Sequence, residues 1–136
     1  MTDTPASQTW TKNGVLHRDD DLPAVIYADG SCEWFQNGLR HRDGDQPAVV
    51  SVGEYKYKQW WKNGQRHRDG DLPAIVLESG ASSWWKNGLR HRDNHEPAVI
   101  WEDGQKEWWV NGRQVNQAND EQKINNYIEE KFKLFQ

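Results

Sequence analysis

Residues 34–48 read WFQNGLRHRDGDQPA, and closely similar stretches recur along the chain. The Asn-Gly pair within this stretch returns in steps of 24, 26, 24 and 24 residues, at Asn13-Gly14, Asn37-Gly38, Asn63-Gly64, Asn87-Gly88 and Asn111-Gly112. The His-Arg-Asp and Pro-Ala blocks keep the same spacing. A period of this size is typical of a repeat architecture, in which one structural unit is copied end to end. We therefore expect function to reside in an array of units.

Two turn signals divide the first full unit into three short strands. Residues 23–28 and 31–36 flank Asp29-Gly30, and Asn37-Gly38 leads into residues 39–42. Both dipeptides favour tight hairpin turns, because a type I′ turn needs positive φ at its two central residues. The sequence therefore predicts a mainly β fold: an elongated antiparallel meander of tandem β-hairpin repeats, with about ten short strands. Proline cannot donate to a sheet ladder, so we expect a strand start or a bulge at each of Pro23, Pro47, Pro73 and Pro97.

Two-residue turns also predict which residues face each other across the strands. This count sets Val25 opposite Trp34, and Trp34 opposite His41. The same count gives the pairs Ala24 with Phe35, Phe35 with Arg40, Glu33 with Arg42, and the repeated Ile75 with Trp84. We expect the face that carries Glu33 and Arg42 to be the wetter one.

Paired aromatic residues provide the main candidate for a binding surface. Trp stands three residues before each Asn of the Asn-Gly pairs, and in four of the five units the next residue is aromatic too. Neighbouring strand residues point to opposite faces, so one aromatic row lies on the less buried face. Trp and Arg are frequent anchors of protein interfaces. The candidate binding residues are Phe35, Arg40, Trp61, Arg66, Trp85, Arg90 and Trp109.

Composition and charge disfavour several functional classes. With 17 Lys+Arg against 21 Asp+Glu and a net charge of -4, nonspecific binding of nucleic acid or of an anionic membrane is disfavoured. No stretch approaches membrane-spanning length, and residues 1–8 are polar without an apolar run. The single cysteine, Cys32, suits a reducing compartment. We therefore expect a protein of the bacterial or host-cell cytoplasm.

No metal, cofactor or catalytic residue is predicted. The recurring histidines belong to different units, about three strands apart, and no nucleophile motif recurs. The pair His91 and His95 has a zinc-like spacing, but it falls across a strand end and a loop. The Asp-rich loops at residues 19–21, 43–45 and 69–71 offer calcium ligands only if adjacent units share them. We favour a structural interpretation, in which Asp and Gly make turn hydrogen bonds and the neighbouring Arg pairs with the Asp of the same or next unit.

The Trp-x-x-Asn-Gly-x-x-His block followed by an Asp-Gly turn resembles MORN repeats, over roughly residues 10–115. The His-Arg-Asp-x-x-x-Pro-Ala block resembles a divergent branch found in bacterial, phage and large-virus accessory proteins. Arg replaces the Gly that follows His in the common pattern, at Arg18, Arg42, Arg68 and Arg92. The resemblance implies an extended, non-catalytic scaffold that binds other proteins, with an antitoxin or immunity role in some bacterial members.

The composition changes after the array. Asn119 and Gln122 resemble a capping box, and a helical stripe follows at Ile124, Tyr127, Ile128, Phe132 and Phe135. We thus divide the chain into an N-terminal tail (1–9), the array (10–115) and a C-terminal helix (116–136). The helix is interpreted as a cap for the open end of the array. A homodimer or partner contact is the alternative.

The sequence favours a non-enzymatic scaffold that binds a protein partner. We expect it to act as an inhibitor, an antitoxin or immunity factor, or a phage counter-defence or adaptor protein. The alternative is a Trp-rich module that binds carbohydrate or another small ligand, because exposed Trp and Arg side chains stack on sugars and cations.

Overall fold

The computed structural model describes residues 6–115, which form eighteen short strands. In chain order these are β1 (Ala6–Thr9), β2 (Thr11–Lys12), β3 (Val15–Leu16), β4 (Val25–Tyr27), β5 (Cys32–Glu33), β6 (Phe35–Gln36), β7 (Leu39–Arg40), β8 (Val49–Ser51), β9 (Tyr57–Gln59), β10 (Trp61–Lys62), β11 (Gln65–Arg66), β12 (Ile75–Leu77), β13 (Ser82–Ser83), β14 (Trp85–Lys86), β15 (Leu89–Arg90), β16 (Val99–Ile100), β17 (Lys106–Val110) and β18 (Arg113–Val115).

Ten of these strands form one continuous antiparallel sheet, in the order β1-β4-β5-β8-β9-β12-β13-β16-β17-β18. The predicted mainly β meander is therefore confirmed. The other eight strands form four separate hairpins, β2-β3, β6-β7, β10-β11 and β14-β15. A repeat unit thus contributes one hairpin to the sheet and carries a second, smaller hairpin beside it. No helix in the described part of the chain has the length and apolar character needed to cross a membrane.

The Asn-Gly turns have the predicted geometry. Asn37 has a φ of 51° and Gly38 a φ of 82°, and the other four Asn-Gly pairs have similar values. Positive φ at both central residues defines the two-residue type I′ turn. As predicted, Phe35 pairs with Arg40 across this turn.

The Asp-Gly turn differs from the prediction. Tyr27 donates its N–H to the carbonyl oxygen of Ser31, and Gly30 donates to the carbonyl oxygen of Tyr27, both at 2.9 Å. Gly30 has a φ of +93°, but Asp29 does not have a positive φ. The connection is therefore a three-residue loop, with Gly in the left-handed position that follows a type I turn. The same hydrogen bonds recur at Leu77 with Ala81 and at Trp101 with Gln105.

This extra loop residue shifts the register by one and exchanges the two faces of the sheet. Val25 pairs with Glu33. Val25 also shares a buried cluster with Phe35, which lies two residues after Glu33. The predicted pairs Val25 with Trp34, Ala24 with Phe35, and Ile75 with Trp84 are therefore wrong. Ile75 pairs instead with Ser83.

Four fully buried alanines join the sheet to the Trp residues. The residues at these positions are Ala24, Ala48, Ala74 and Ala98, each 0% exposed. Ala48 donates its N–H to Gln59 (2.9 Å) and accepts the N–H of Trp34 (2.7 Å). The carbonyl oxygen of Trp34 in turn accepts the N–H of His41 (3.1 Å). At Trp34 the chain therefore leaves the main sheet and enters the small hairpin, and the alanine lies fully buried at this junction.

The ends of the predicted domains are only partly described. The proposed N-terminal tail contains β1, which pairs with β4, so the sheet begins at Ala6 and the tail prediction is wrong for residues 6–9. The predicted C-terminal helix over 116–136 lies outside the described residues.

Substituting Ala74 with Leu tests the packing around the buried alanines. We expect Ala74→Leu to lower the free energy of unfolding by about 1–3 kcal/mol, because extra methylene groups cannot be accommodated at a fully buried position. Urea denaturation measures the change. Ala28→Leu, at an exposed loop position, is the matched control and should change stability little. Equal effects of the two substitutions would contradict this packing.

Candidate functional site

A histidine bridges each pair of consecutive units. The Nδ1 atom of His41 accepts the backbone N–H of Asn63 in the next unit (3.0 Å), and its Nε2 atom lies 2.7 Å from Asp43. Because a backbone N–H can only donate, Nδ1 must be unprotonated, and Nε2 carries the proton that is donated to Asp43. His17, His67 and His91 make the same two contacts, with Asn37, Asn87 and Asn111 as donors at 2.9–3.0 Å. These histidines therefore use both ring nitrogens in structural contacts.

The Arg that follows each His forms a second link between units. Arg42 donates from Nε (2.8 Å) and Nη2 (3.3 Å) to Asp21 of the preceding unit, and from Nη1 to the carbonyl oxygen of Pro47 (3.1 Å). Its Cζ atom lies 3.9 Å from the ring centroid of Trp34. Arg68 and Arg92 repeat these contacts with Asp45 and Asp71. We call these stacked Trp-Arg pairs the clamp row: Trp10-Arg18, Trp34-Arg42, Trp60-Arg68 and Trp84-Arg92.

The Asp-rich loops are occupied by these contacts. The Asp at the first position of a loop bonds the His of its own unit, and the Asp at the third position bonds the Arg of the next unit. The aspartates are thus structural, as predicted, but each Arg so paired binds the Asp of the preceding unit and not that of its own or the next unit. The hydrogen bonds from Arg42 and Arg68 hold the pKa of Asp21 and Asp45 below the ordinary value of 3.8. Within residues 6–115, no group of three or more His, Cys, Asp or Glu is placed to hold a metal ion. His95 is exposed and takes the left-handed conformation that Asp21 and Asp71 have in their loops.

All seven predicted binding residues lie in a single continuous row. Aromatic rings and guanidinium groups alternate along it, with Cζ-to-centroid distances between 4.7 and 5.4 Å. Arg66, for example, lies 5.0 Å from Trp61 of its own unit and 5.0 Å from Trp85 of the next. We call this row the aromatic-arginine ladder, which consists of Phe35, Arg40, Trp61, Arg66, Trp85, Arg90 and Trp109.

The ladder shares its face with the row of β-branched residues at the centre of the sheet. Trp61, Trp85 and Trp109 each donate their indole N–H to the residue two positions earlier, at 2.9 Å. Those acceptors belong to the row in which Val or Ile alternates with a polar residue, namely Val25, Glu33, Val49, Gln59, Ile75, Ser83, Val99 and Glu107. The ladder therefore borders this central row of the sheet, and the indole hydrogen bonds fix the orientation of its Trp rings.

Exposure along the ladder differs from the prediction at its first member. Phe35 is buried, with 8% exposure, whereas Trp61, Trp85 and Trp109 are half-buried. Glu33 is also buried and bonds Arg40 and Tyr27, not the predicted Arg42. The prediction that Glu33 and Arg42 mark a wetter face is thus wrong, because the register places Glu33 beside Val25 in the central row.

The arginines of the ladder differ in their charge partners. Arg40 donates from Nε (3.2 Å) and Nη2 (3.0 Å) to Glu33. Gln59 and Ser83 occupy the equivalent positions beside Arg66 and Arg90, so these two arginines pair with no carboxylate among the residues that the structure describes. Their Nε atoms are buried and have no hydrogen-bond partner there. Burial lowers the pKa of Arg66, and the neighbouring charges of Arg40 and Arg90 lower it further.

Sequence reasoning missed the polar position that precedes the ladder. Glu33, Gln59, Ser83 and Glu107 stand two residues before its aromatic members, and only the first and last are acidic. The difference between units at this position can be seen in the aligned repeats. Only the register shows that the position lies beside the ladder arginines. The sequence also did not indicate the clefts between successive His-Arg-Asp loops, two of which have volumes near 400 Å³.

The chain matches no protein-family model, no curated protein and no solved structure.

The pKa of Asp21 gives a pH-dependent test of the clamp row. A carboxyl group whose pKa is lowered by folding stabilises the folded state above its unfolded pKa, and this contribution is lost as the pH falls through the folded pKa. We expect Arg42→Gln to raise the pKa of Asp21 towards 3.8 and to lower stability at neutral pH. The difference from the unsubstituted protein should shrink, without vanishing, below about pH 4, because the contacts of Arg42 with Trp34 and Pro47 do not titrate.

Urea denaturation across this pH range provides the measurement. Arg113→Gln, at an exposed position outside the clamp row, is the control for loss of one positive charge. A stability difference for Arg42→Gln that stays constant from pH 7 to about pH 3 would contradict the ion pair.

Proposed function

We propose that this protein is a non-enzymatic repeat scaffold that binds a protein partner along the aromatic-arginine ladder. The observation that carries the proposal is the continuity of the ladder, since Trp61, Trp85 and Trp109 alternate with Arg40, Arg66 and Arg90 across consecutive units. Trp and Arg are the residue types most enriched among interface hot spots. Half-buried rings with fixed indole hydrogen bonds lose little conformational entropy on binding.

The surroundings of the rings favour a protein over a carbohydrate. Trp61 lies between Arg40 and Arg66 in the ladder, with Cζ-to-centroid distances of 5.3 and 5.0 Å. Trp85 lies in the same way between Arg66 and Arg90, at 5.0 Å from each. A sugar that stacks needs an open aromatic face, and these rings have guanidinium groups beside them on both sides. A protein partner can instead contact ring edges and arginine donors together.

The biological role is proposed from the resemblance to MORN repeats. Proteins of the divergent branch are accessory proteins of bacteria, phages and large viruses, and some bacterial MORN members act as antitoxins or immunity factors. We extend that role to this chain, as an inhibitor, antitoxin or immunity factor, or as a counter-defence or adaptor protein in the cytoplasm. Blocking a partner requires tight binding and no catalytic group. The recurring histidines fit such a role, because both of their ring nitrogens are used in structural contacts.

The neighbouring residues Trp84 and Trp85 allow a matched test of binding against stability. Trp84 is buried, donates its indole N–H to Asp71 (3.1 Å) and stacks on Arg92. We expect Trp84→Ala mainly to destabilise the fold, by about 3–5 kcal/mol. Trp85→Ala should leave the protein folded and weaken partner binding by more than about 1 kcal/mol, which is about fivefold.

Quantitative mass spectrometry of proteins captured from host-cell lysate identifies the partner, and titration with the purified partner gives the dissociation constants. Thermal denaturation of both variants shows which substitution affects folding. Unchanged partner binding by folded Trp85→Ala and Trp61→Ala would overturn the ladder as the binding surface. Competition by a soluble oligosaccharide would favour the carbohydrate alternative.

A further inference from the structure

We propose that Arg66 and Arg90, at the centre of the ladder, bind two carboxylates of an extended acidic segment of the partner. This inference rests on the proposed function and specifies the chemistry of the partner. The segment has a polyproline II conformation, with an acidic residue at every third position.

The pairing of Arg40 with Glu33 shows how an arginine in this position binds a carboxylate. Glu33 accepts two hydrogen bonds from Arg40 and one from the hydroxyl of Tyr27 (2.8 Å). Glu107, at the other end of the same row, accepts the indole N–H of Trp109 (2.9 Å) and of Trp101 (2.6 Å). The first and last of these positions thus provide their own carboxylate.

The two central units have the arginines but lack the carboxylates. Gln59 and Ser83 replace Glu33 at the equivalent positions, and Arg66 and Arg90 have no ion pair within residues 6–115. The arginines of the clamp row differ in this respect, since Arg42, Arg68 and Arg92 each bind an aspartate. The Nε atoms of Arg66 and Arg90 are buried and out of reach of an external ligand, so a carboxylate of the partner would pair with the terminal Nη groups.

The spacing of the two arginines fits a polyproline II segment. Each repeat unit adds two strands to the sheet, so equivalent positions of consecutive units lie about 9–10 Å apart. Arg66 and Arg90 occupy such equivalent positions, on either side of Trp85. A polyproline II helix has three residues per turn and rises about 3.1 Å per residue, so residues i and i+3 lie on one side about 9 Å apart. In a β-strand, residues i and i+3 point to opposite sides, and residues i and i+2 are only about 7 Å apart.

The charge pattern favours an acidic peptide over a nucleic acid. The ladder has two guanidinium groups without an ion pair, those of Arg66 and Arg90, whereas a nucleic-acid strand offers a phosphate at every nucleotide. The whole chain carries a net charge of -4, which opposes a long polyanion. Two local carboxylates satisfy the two arginines without further positive charge.

Fluorescence anisotropy with a labelled synthetic peptide of Pro-Pro-Glu repeats tests the inference on the full-length protein. We expect this peptide to bind, and the Pro-Pro-Gln peptide of equal length to bind at least about tenfold more weakly, because the charge-assisted hydrogen bonds are lost. A Pro-Glu repeat peptide, whose carboxylates have the wrong spacing, should also bind more weakly. Increasing salt should weaken binding of the Pro-Pro-Glu peptide.

Two protein variants locate the site. Arg66→Gln should reduce affinity for the Pro-Pro-Glu peptide by about tenfold. Gln59→Glu should reduce it similarly, because the new carboxylate pairs with Arg66 as Glu33 pairs with Arg40. Gln65→Glu is the charge-matched control, since Gln65 is exposed, lies beside Arg66 on β11 and points to the opposite face, and it should leave affinity unchanged. Thermal denaturation checks that each variant is folded.

The outcomes separate this inference from the proposed function. Three results would overturn the proposal of an acidic segment. These are equal affinity for the Pro-Pro-Glu and Pro-Pro-Gln peptides, no binding of either peptide, and tighter binding of an oligothymidine. If Trp85→Ala still abolishes binding of the native partner in that case, the ladder remains the interaction surface. Loss of Pro-Pro-Glu binding in Arg66→Gln and Gln59→Glu, but not in Gln65→Glu, supports the inference.

Discussion

The hydrogen bond from a backbone N–H of one unit to the histidine of the unit before it is the contact on which the array depends. Each small hairpin has strands of only two residues, such as β6 and β7, and an isolated two-stranded hairpin is marginally stable at best. His41 fixes the turn of the next hairpin through Asn63, and Gly64 in the same turn donates to the carbonyl oxygen of Arg40 (2.8 Å). Each Asn-Gly turn after the first is thereby held by the preceding unit. Stability in such an array resides largely in the contacts between neighbours.

The arrangement divides the arginines into two groups with different roles. Those of the clamp row are held by a Trp ring and a proline carbonyl, and Arg42, Arg68 and Arg92 also bind an aspartate of the preceding unit. Those of the ladder lie between aromatic rings and have few other contacts, as for Arg66. The clamp row and the histidines therefore account for the recurring His-Arg-Asp block as a structural element. The aromatic-arginine ladder is therefore the surface that we propose for binding.

Local signals in the sequence predicted much of this structure. The repeat period gave the array, and Asn-Gly gave the type I′ turn and the pairing of Phe35 with Arg40. The Asp-Gly turn was mispredicted because Asp-Gly fits two connections equally well: a two-residue type I′ turn, and a three-residue loop in which only Gly has positive φ. The structure selects the second at Gly30, with Ala28 as part of the loop.

That difference of one residue accounts for most of the errors about the candidate site. A shift of one residue exchanges the two faces of a strand. Val25 was therefore paired with Trp34 in place of Glu33, and Glu33 was expected on an exposed face although it is buried. The membership of the ladder was nevertheless predicted, because it depends on the Asn-Gly turn alone. The missing carboxylates at Gln59 and Ser83 became meaningful only when the register placed them beside Arg66 and Arg90.

The protonation state of the four bridging histidines tests the coupling between units most directly. A long-range nitrogen-proton NMR correlation spectrum of the histidine rings distinguishes a proton on Nε2 from one on Nδ1. At neutral pH the account predicts the Nε2–H form for His17, His41, His67 and His91, with the amide protons of Asn37, Asn63, Asn87 and Asn111 protected from exchange. Nδ1–H rings, or amide protons that exchange as fast as those of an unfolded chain, would contradict it.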